Sequence, residues 1–220
     1  MDSPARSHTI STERQVAQLR NLLAERFTQA APVARQQIRT GVPSLDEATG
    51  GGLAGSALTE LVTPGRSAGS ASLLHELLQL AQGESFFVAL VDGRDSFDPQ
   101  SAGANLLPHL FWVRCDNAWE AVKATDLLLR DGNFPLIILD LVLNSPAELR
   151  RIPASTWYRF QRLIEPVPSA LLVMSRHHLV PSARRKLVLA NHWKLRDLQQ
   201  EPKFERLRFE VHRAHRQVST

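Results

Sequence analysis

Apolar residues alternate along the chain between short uninterrupted runs and longer segments in which they recur at helical spacing. Uninterrupted runs are typical of strands buried on both faces of a parallel sheet, and helical spacing is typical of amphipathic helices. The predicted strands cover residues 57–62, 85–91, 110–113, 135–141 and 170–174, and the predicted helices cover 73–81, 118–130 and 154–164. Strands that alternate with helices predict an α/β fold with a mostly parallel, doubly wound sheet.

Further elements are predicted on either side of this alternating region. Residues 12–27 have helical spacing, with Ser11 or Thr12 as the N-cap, and Ser44 is predicted to cap a short helix that stops at the three glycines 50–52. Two edge strands are predicted at 192–195 and 207–211, where the alternation suits a ribbon. We therefore divide the chain into an N-terminal tail and helix (1–37), a core (38–180) and a basic C-terminal extension (181–220).

Composition narrows the class of protein. The 220 residues, 43% hydrophobic and 22% charged, suit one globular domain with short extensions. No apolar run is long enough to span a membrane, and the first residues lack the apolar stretch of a secretion signal. Cys115, the single cysteine, is expected to be buried and inert, and it fits a reducing cytoplasm. The net charge is +4, and most of the positive surplus lies in the segment from Arg176 to Arg216, which permits contact with nucleic acid or an acidic partner.

Three segments, in a fixed order, carry a resemblance to a known family. The first is Thr40–Asp46, followed by the glycines 50–52 and the strand Ala57–Val62; the second is Val91–Pro99, with the sequence VDGRDSFDP; the third is the strand Leu136–Asp140. Together these segments resemble the entry, the strand-end motif and the Walker B strand of the RecA recombinase core. The resemblance covers about residues 38–175 and implies a RecA-like fold of the P-loop NTPase type, with flanking helices and a short C-terminal β extension.

Within that superfamily the chain resembles the ImuA group and the related SulA-type proteins. The features that carry this resemblance are the degenerate phosphate loop, the short chain and the block 182–195, SARRKLVLANHWKL. The ImuA resemblance implies a damage-induced accessory protein with a RecA-type recombinase and a Y-family polymerase as partners. The SulA resemblance implies instead a cell-division inhibitor that acts on FtsZ.

The loop that follows the first core strand lacks the residues that phosphoryl transfer needs. A working P-loop reads G-x-x-x-x-G-K-S/T, in which the lysine neutralises phosphate charge and the hydroxyl holds Mg²⁺. When Gly69 is aligned with the second glycine, Ser70 replaces the lysine and Ala71 the hydroxyl, and a one-residue slip to Ser72 supplies no lysine. Arg66 is basic but lies on the far side of the loop. The degenerate nucleotide loop consists of Pro64, Gly65, Gly69, Ser70, Ala71 and Ser72.

The strand-end acids lead to the same expectation. The resemblance places Arg94 where the family has the acid that activates the attacking water, and arginine cannot act as a base. Asp140 is either a Walker B-like residue that holds a metal ion or a carboxylate capped by local backbone, and the capped carboxylate is the favoured interpretation. The same interpretation is favoured for Asp92. We expect no ATP hydrolysis, no catalytic residue and no required cofactor, although the helix N-terminus leaves weak ATP binding open.

Several other features have two interpretations each. Arg184, Arg185 and Lys186 could contact DNA phosphates, or they could form a solvated face or a protein interface. The tryptophans 112, 119, 157 and 193 are more typical of core or interface anchors than of base-stacking platforms. The adjacent pair His177 and His178 is a weak candidate for metal binding. The helix at 12–27 either docks on a neighbouring protein or packs on its own domain.

The leading hypothesis is therefore a non-catalytic accessory protein that links a recombinase to an error-prone polymerase. One alternative is an ATP-binding recombinase or DNA-dependent ATPase with an unconventional loop. A second is the SulA-type division inhibitor.

Overall fold

Helices and strands alternate through most of the chain, which a computed structural model describes for residues 37–65, 69–191 and 207–212. The strands are β1 (Gln37–Ile38), β2 (Leu53–Ala54), β3 (Ala57–Val62), β4 (Val88–Asp92), β5 (Leu110–Arg114), β6 (Leu136–Asp140), β7 (Ala170–Ser175), β8 (Arg185–Leu189) and β9 (Phe209–Val211). The helices are α1 (Pro43–Thr49), α2 (Ser70–Gly83), α3 (Pro99–Ala102), α4 (Ala118–Asp131), α5 (Pro146–Leu149) and α6 (Ala154–Ile164).

A seven-stranded sheet in the order β5-β4-β6-β7-β3-β8-β9 forms the centre of the fold. All of its neighbouring strands pair in parallel except β8 and β9, which are antiparallel. Leucines of α1 and α2 cover one face of the sheet, and α4 and α6 cover the other. The predicted α/β class with a mostly parallel, helix-flanked sheet is therefore confirmed. No helix among the described residues has the length and apolar character to cross a membrane.

The starts of two helices differ from the prediction. Ser44 is not a cap: α1 begins at Pro43 after Val42, because proline at the first helical position has a φ suited to the helix and no N–H to satisfy. The hydroxyl of Ser44 instead donates a 2.5 Å hydrogen bond to the carbonyl of Leu207. The second helix begins at Ser70 rather than Leu73, because the left-handed Gly69 (φ 95°) turns the chain into α2 three residues earlier.

The C-terminal extension adds two strands to the core sheet. The sequence pattern missed β8, because its first two residues, Arg185 and Lys186, are charged. The edge position predicted for residues 207–211 is confirmed, since β9 forms the outer edge of the sheet, with β8 as its partner. The predicted strand at 192–195 and the predicted helix at 12–27 lie outside the described residues.

One charged side chain on β3 is completely buried, and it connects this strand to the segment before β8. The carboxylate of Glu60 accepts hydrogen bonds from the backbone N–H groups of Leu179 (2.5 Å) and Val180 (2.7 Å). It also lies 3.0 Å from Nδ1 of His178 and 3.8 Å from Nζ of Lys186. A buried carboxylate is stable only when it is paired and hydrogen-bonded, and these four contacts supply that environment.

Candidate functional site

A cleft of about 450 Å³ opens at the carboxyl ends of the central strands. Helix α2 contributes its first turn, β6 contributes its last residue, and the segment after β7 contributes a basic side chain. Clefts at this edge are the usual ligand sites of open α/β sheets. The polar residues on its walls are Ser70, Ser72, His75, Ser96, Asp98, Ser101, Asp140 and Arg176.

The degenerate loop supplies part of this cleft. Ser70, Ala71 and Ser72 line it at the start of α2, where the unpaired backbone N–H groups of a helix favour an anion. Pro64 is exposed and Gly65 half-buried, and neither lines the cleft. Arg66 lies outside the described residues. The structure therefore brings three of the six predicted loop positions to the cleft, and none of these three carries a positive charge.

Asp140 lies at the end of β6, on the cleft wall. Its Oδ1 accepts a 2.9 Å hydrogen bond from the backbone N–H of Val142. Burial raises the pKa of this carboxyl to about 6, and the negative charge of Asp92 adds to the rise. Asp140 is thus capped by local backbone, and its charged form is disfavoured in the cleft as it stands.

Asp92 organises the loop after β4 and does not line the cleft. Its carboxylate accepts hydrogen bonds from the backbone N–H groups of Arg94 (3.2 Å), Ser96 (2.7 Å) and Phe97 (2.7 Å). The side chain is almost fully buried. These bonds position Ser96 and Phe97, which do line the cleft.

Arg94, the residue at the expected position of the base, is turned toward α4 and α5. Its Nη1 donates a 2.9 Å hydrogen bond to the carbonyl of Asp116, and its Nη2 lies 3.5 Å from Glu148. Arg94 is not among the residues that line the cleft. The position therefore offers neither a base nor a cation to a ligand in the cleft.

Arg176 is a site residue that the sequence analysis missed. It follows β7 directly and lines the cleft beside Asp140, and its Nε is buried without a hydrogen-bond partner among the described residues. The sequence feature that could have predicted Arg176 is its position directly after a buried strand, because the carboxyl ends of parallel strands meet at one edge of the sheet. The residues that line the described cleft include one arginine, Arg176, and no lysine, so Arg176 is the guanidinium or ammonium group that could face an anion there.

Comparison with known proteins finds partial similarity to RecA proteins. No family model matches the chain. The chain is 34% identical to the RecA protein of Streptomyces venezuelae over 109 residues, which is 48% of this chain and 28% of that protein. It is 33% identical to the RecA protein of Methylococcus capsulatus over 118 residues, 51% of this chain and 33% of that protein.

About half of the chain is similar to RecA proteins. This relationship rests on about half of the chain and on a third or less of the length of each relative. The parallel sheet agrees with a RecA-like fold.

The basic residues before and in β8 do not form one surface of the RecA-like sheet. Arg184 and Arg185 are exposed, whereas Lys186 is half-buried beside Glu60. Successive strand residues face opposite sides of a sheet, so Arg185 and Lys186 point to different faces. A phosphate contact by this segment would therefore involve Arg184 or Arg185 more readily than Lys186.

Among the described residues, the cysteine, the histidine pair and the tryptophans singled out in the sequence lie outside the cleft. Cys115 is buried, and burial raises its thiol pKa to about 11, which agrees with an inert thiol. His178 contacts Glu60. Neither the pair at 177 and 178 nor any other part of the described residues belongs to a cluster of three or more possible metal ligands. Trp157 is in the core, Trp112 packs edge-to-face on Phe97, and Trp119 is exposed. Trp193 lies outside the described residues.

Replacing Asp140 with asparagine should make the RecA-like core more stable at neutral pH. A buried acid with a raised pKa binds its proton more tightly when folded, so stability falls as pH rises from about 4 through about 6. Asp140→Asn keeps the acceptor for Val142 and removes this loss, which we expect to add roughly 1–3 kcal/mol at pH 7. Urea titrations on both sides of this pH range measure the effect. Asp116 is exposed, and Asp116→Asn should leave the pH dependence of the unfolding free energy unchanged. If that free energy changed with pH equally in wild type and Asp140→Asn, the prediction would be contradicted.

Proposed function

We propose that this chain is a non-catalytic RecA-like accessory protein of the DNA-damage response, which links a RecA-type recombinase to a Y-family polymerase in translesion synthesis. The observation that carries the proposal is the chemistry of the cleft. At the start of α2, Ser70 occupies the position of the P-loop lysine, and Ala71 occupies the position of the P-loop serine or threonine. Phosphoryl transfer depends on charge compensation and positioning, but Ser70 carries no positive charge and Ala71 has no side-chain oxygen to hold Mg²⁺.

The surroundings of the second catalytic position support the same proposal. Arg94 is held by the carbonyl of Asp116 and by Glu148, so the position of the base is occupied by a cation with a structural role. Similarity to RecA proteins supports a place in DNA repair or recombination. A RecA-like sheet that lacks hydrolysis would act through protein contacts in the cytoplasm.

We expect no ATP hydrolysis above background, with or without single-stranded DNA. The physical reason is the uncompensated charge of a triphosphate at Ser70 and Ala71. Phosphate release from the purified full chain measures it, with a RecA protein as the positive control. DNA-stimulated turnover that is lost in Gly69→Asp would contradict the proposal and favour the alternative of an unconventional recombinase or ATPase.

Partner binding is the second part of the test. Pull-down of the full chain with a RecA filament or with a Y-family polymerase should recover a complex. Inhibition of FtsZ GTPase activity, without binding to either of these proteins, would favour the division-inhibitor alternative instead.

One observation favours the nucleotide-binding alternative, and it concerns Arg176. Its buried Nε has no partner among the described residues, and its side chain lines the same cleft as Ser70, Ala71 and Ser72. A guanidinium there could compensate part of the charge that a lysine at 70 would have met. Equilibrium binding of a fluorescent ATP analogue separates the two cases, because binding through Arg176 should be abolished in Arg176→Ala.

A further inference from the structure

A second pocket, of about 430 Å³, lies on the opposite side of the sheet from the α2 face, between the start of α4 and the segment that joins α5 to α6. Its apolar walls are the indole of Trp119 and the side chains of Ile152 and Pro153. Trp119 is 51% exposed. A large aromatic side chain beside a pocket is the type of residue that dominates the binding energy of protein interfaces. We call this feature the Trp119 pocket.

The walls of the Trp119 pocket are held in place before any partner binds. Asn117 caps α4 by accepting hydrogen bonds from the N–H groups of Trp119 (3.1 Å) and Glu120 (3.0 Å). Ser145 and Glu148 form a reciprocal cap at the start of α5. Arg94 connects the two regions through the carbonyl of Asp116 and the carboxylate of Glu148. A preformed pocket avoids much of the ordering cost of binding.

Charge around the Trp119 pocket is unbalanced toward positive. Lys123, Arg150 and Arg151 are exposed, and none of them forms an ion pair with another described residue. The nearby acids are Asp116, which is exposed, and Glu120 and Glu148, which are engaged already. Glu120 accepts from the backbone N–H of Asp116, and the hydrogen bond from the N–H of Ser145 lowers the pKa of Glu148, which also pairs with Arg94. The rim is therefore complementary to carboxylates.

We propose that the Trp119 pocket binds an apolar side chain presented by an acidic segment of a partner protein. This proposal rests on the accessory function proposed above, and it assigns one surface and one partner chemistry to it. The apolar side chain packs between Trp119, Ile152 and Pro153. Flanking carboxylates meet Arg151, which lines the pocket, and Lys123 and Arg150, which neighbour Trp119 and Arg151.

Aromatic and basic residues together also suit single-stranded nucleic acid, but two features favour a peptide. Nζ of Lys123 lies over the Trp119 ring, 5.6 Å from its centroid, so one face of the indole is already occupied. The other apolar walls, Ile152 and Pro153, are aliphatic, so the pocket has no second aromatic ring on which a neighbouring base could stack. Single-strand sites stack successive bases on several aromatic faces, whereas this pocket offers one indole with one of its faces covered.

The test is selection of random short peptides, displayed on phage, against the full-length chain. We expect enrichment of sequences in which a large apolar residue is flanked by aspartate or glutamate. Binding of the selected peptides, measured by fluorescence anisotropy, should be weakened at least about tenfold in Trp119→Ala and in Arg151→Glu. Tyr158→Ala and Arg162→Glu are the matched controls, because both residues are exposed on α6 and neither lines the pocket. Both controls should bind like wild type.

Three results would overturn the proposal. They are enrichment of basic sequences, selected peptides that bind Trp119→Ala as well as wild type, and binding of oligo(dT) that is lost in Trp119→Ala. Circular dichroism of each variant shows that it is folded. A pull-down that recovers the recombinase or the polymerase equally with wild type and Trp119→Ala would leave the accessory function intact and remove only this pocket from it. Peptide binding that depends on Trp119, together with pull-downs that recover neither the recombinase nor the polymerase, would support the pocket and contradict the accessory function.

Discussion

Glu60→Ala should destabilise the protein by about 3–5 kcal/mol. The substitution leaves the backbone N–H groups of Leu179 and Val180 without an acceptor, and it removes the carboxylate beside His178 and Lys186. Each unsatisfied buried donor costs about 1–3 kcal/mol. A loss of this size is a large part of the stability of an ordinary domain. Urea denaturation followed by circular dichroism measures it.

Two comparisons separate the causes of this loss. Glu60→Gln keeps one oxygen as an acceptor and removes the charge, so it should cost less than Glu60→Ala. Glu47→Ala removes an exposed glutamate from α1 and should change stability by no more than about 0.5 kcal/mol. If Glu60→Ala costs no more than Glu47→Ala, the buried carboxylate does not stabilise the packing of the 178–180 segment on β3.

Gly52→Ala should cost about 3 kcal/mol or more, because the new side chain has no room and the backbone is unsuitable for it. A Cβ at this position would overlap the carbonyl oxygen of Ile38 and lie 2.9 Å from Cα of Arg39. Both are backbone atoms of the strand segment at β1, and neither can rotate away. The φ of Gly52, 134°, is one that residues with a side chain rarely adopt. The midpoint of thermal unfolding should fall accordingly.

Gly41→Ala isolates the conformational part of this effect. Gly41 also has a positive φ, 75°, but no atom lies within 4 Å of a Cβ built there. Its substitution should cost about 1–2 kcal/mol, from the left-handed conformation alone. Equal losses at positions 41 and 52 would show that the close approach of Gly52 to β1 is not a constraint.

The parts of the fold that were predictable from sequence are those in which one pattern decides the structure. Helix α6 has the predicted bounds, because Trp157, Phe160 and Ile164 repeat at helical spacing and all three are buried. The apolar runs of the central strands were recognisable because both faces of the sheet are covered. Strand β8 was not, because pairing with β3 decides its conformation despite its charged start.

The candidate site was predictable only in part, for a related reason. The degenerate loop and Asp140 lie in recognisable motifs, and the structure places Asp140 and three loop residues at one cleft. Arg176 belongs to no motif, and it reaches the cleft because β7 lies between β6 and β3. The Trp119 pocket was also hidden, since the helical spacing of α4 does not show that residues 152 and 153 come close to its start.

The hydrogen bond between Ser44 and Leu207 spans 163 positions of the chain and has a consequence for folding during synthesis. Leu207 is fully buried in the same apolar cluster as Leu45 and Leu73. While the ribosome is still translating the C-terminal strands, that side of the nascent sheet keeps an uncovered apolar surface. Such intermediates aggregate readily, and chaperones bind them. The segment that leads into β9, the last strand of the described residues, therefore completes a core that the first half of the chain began.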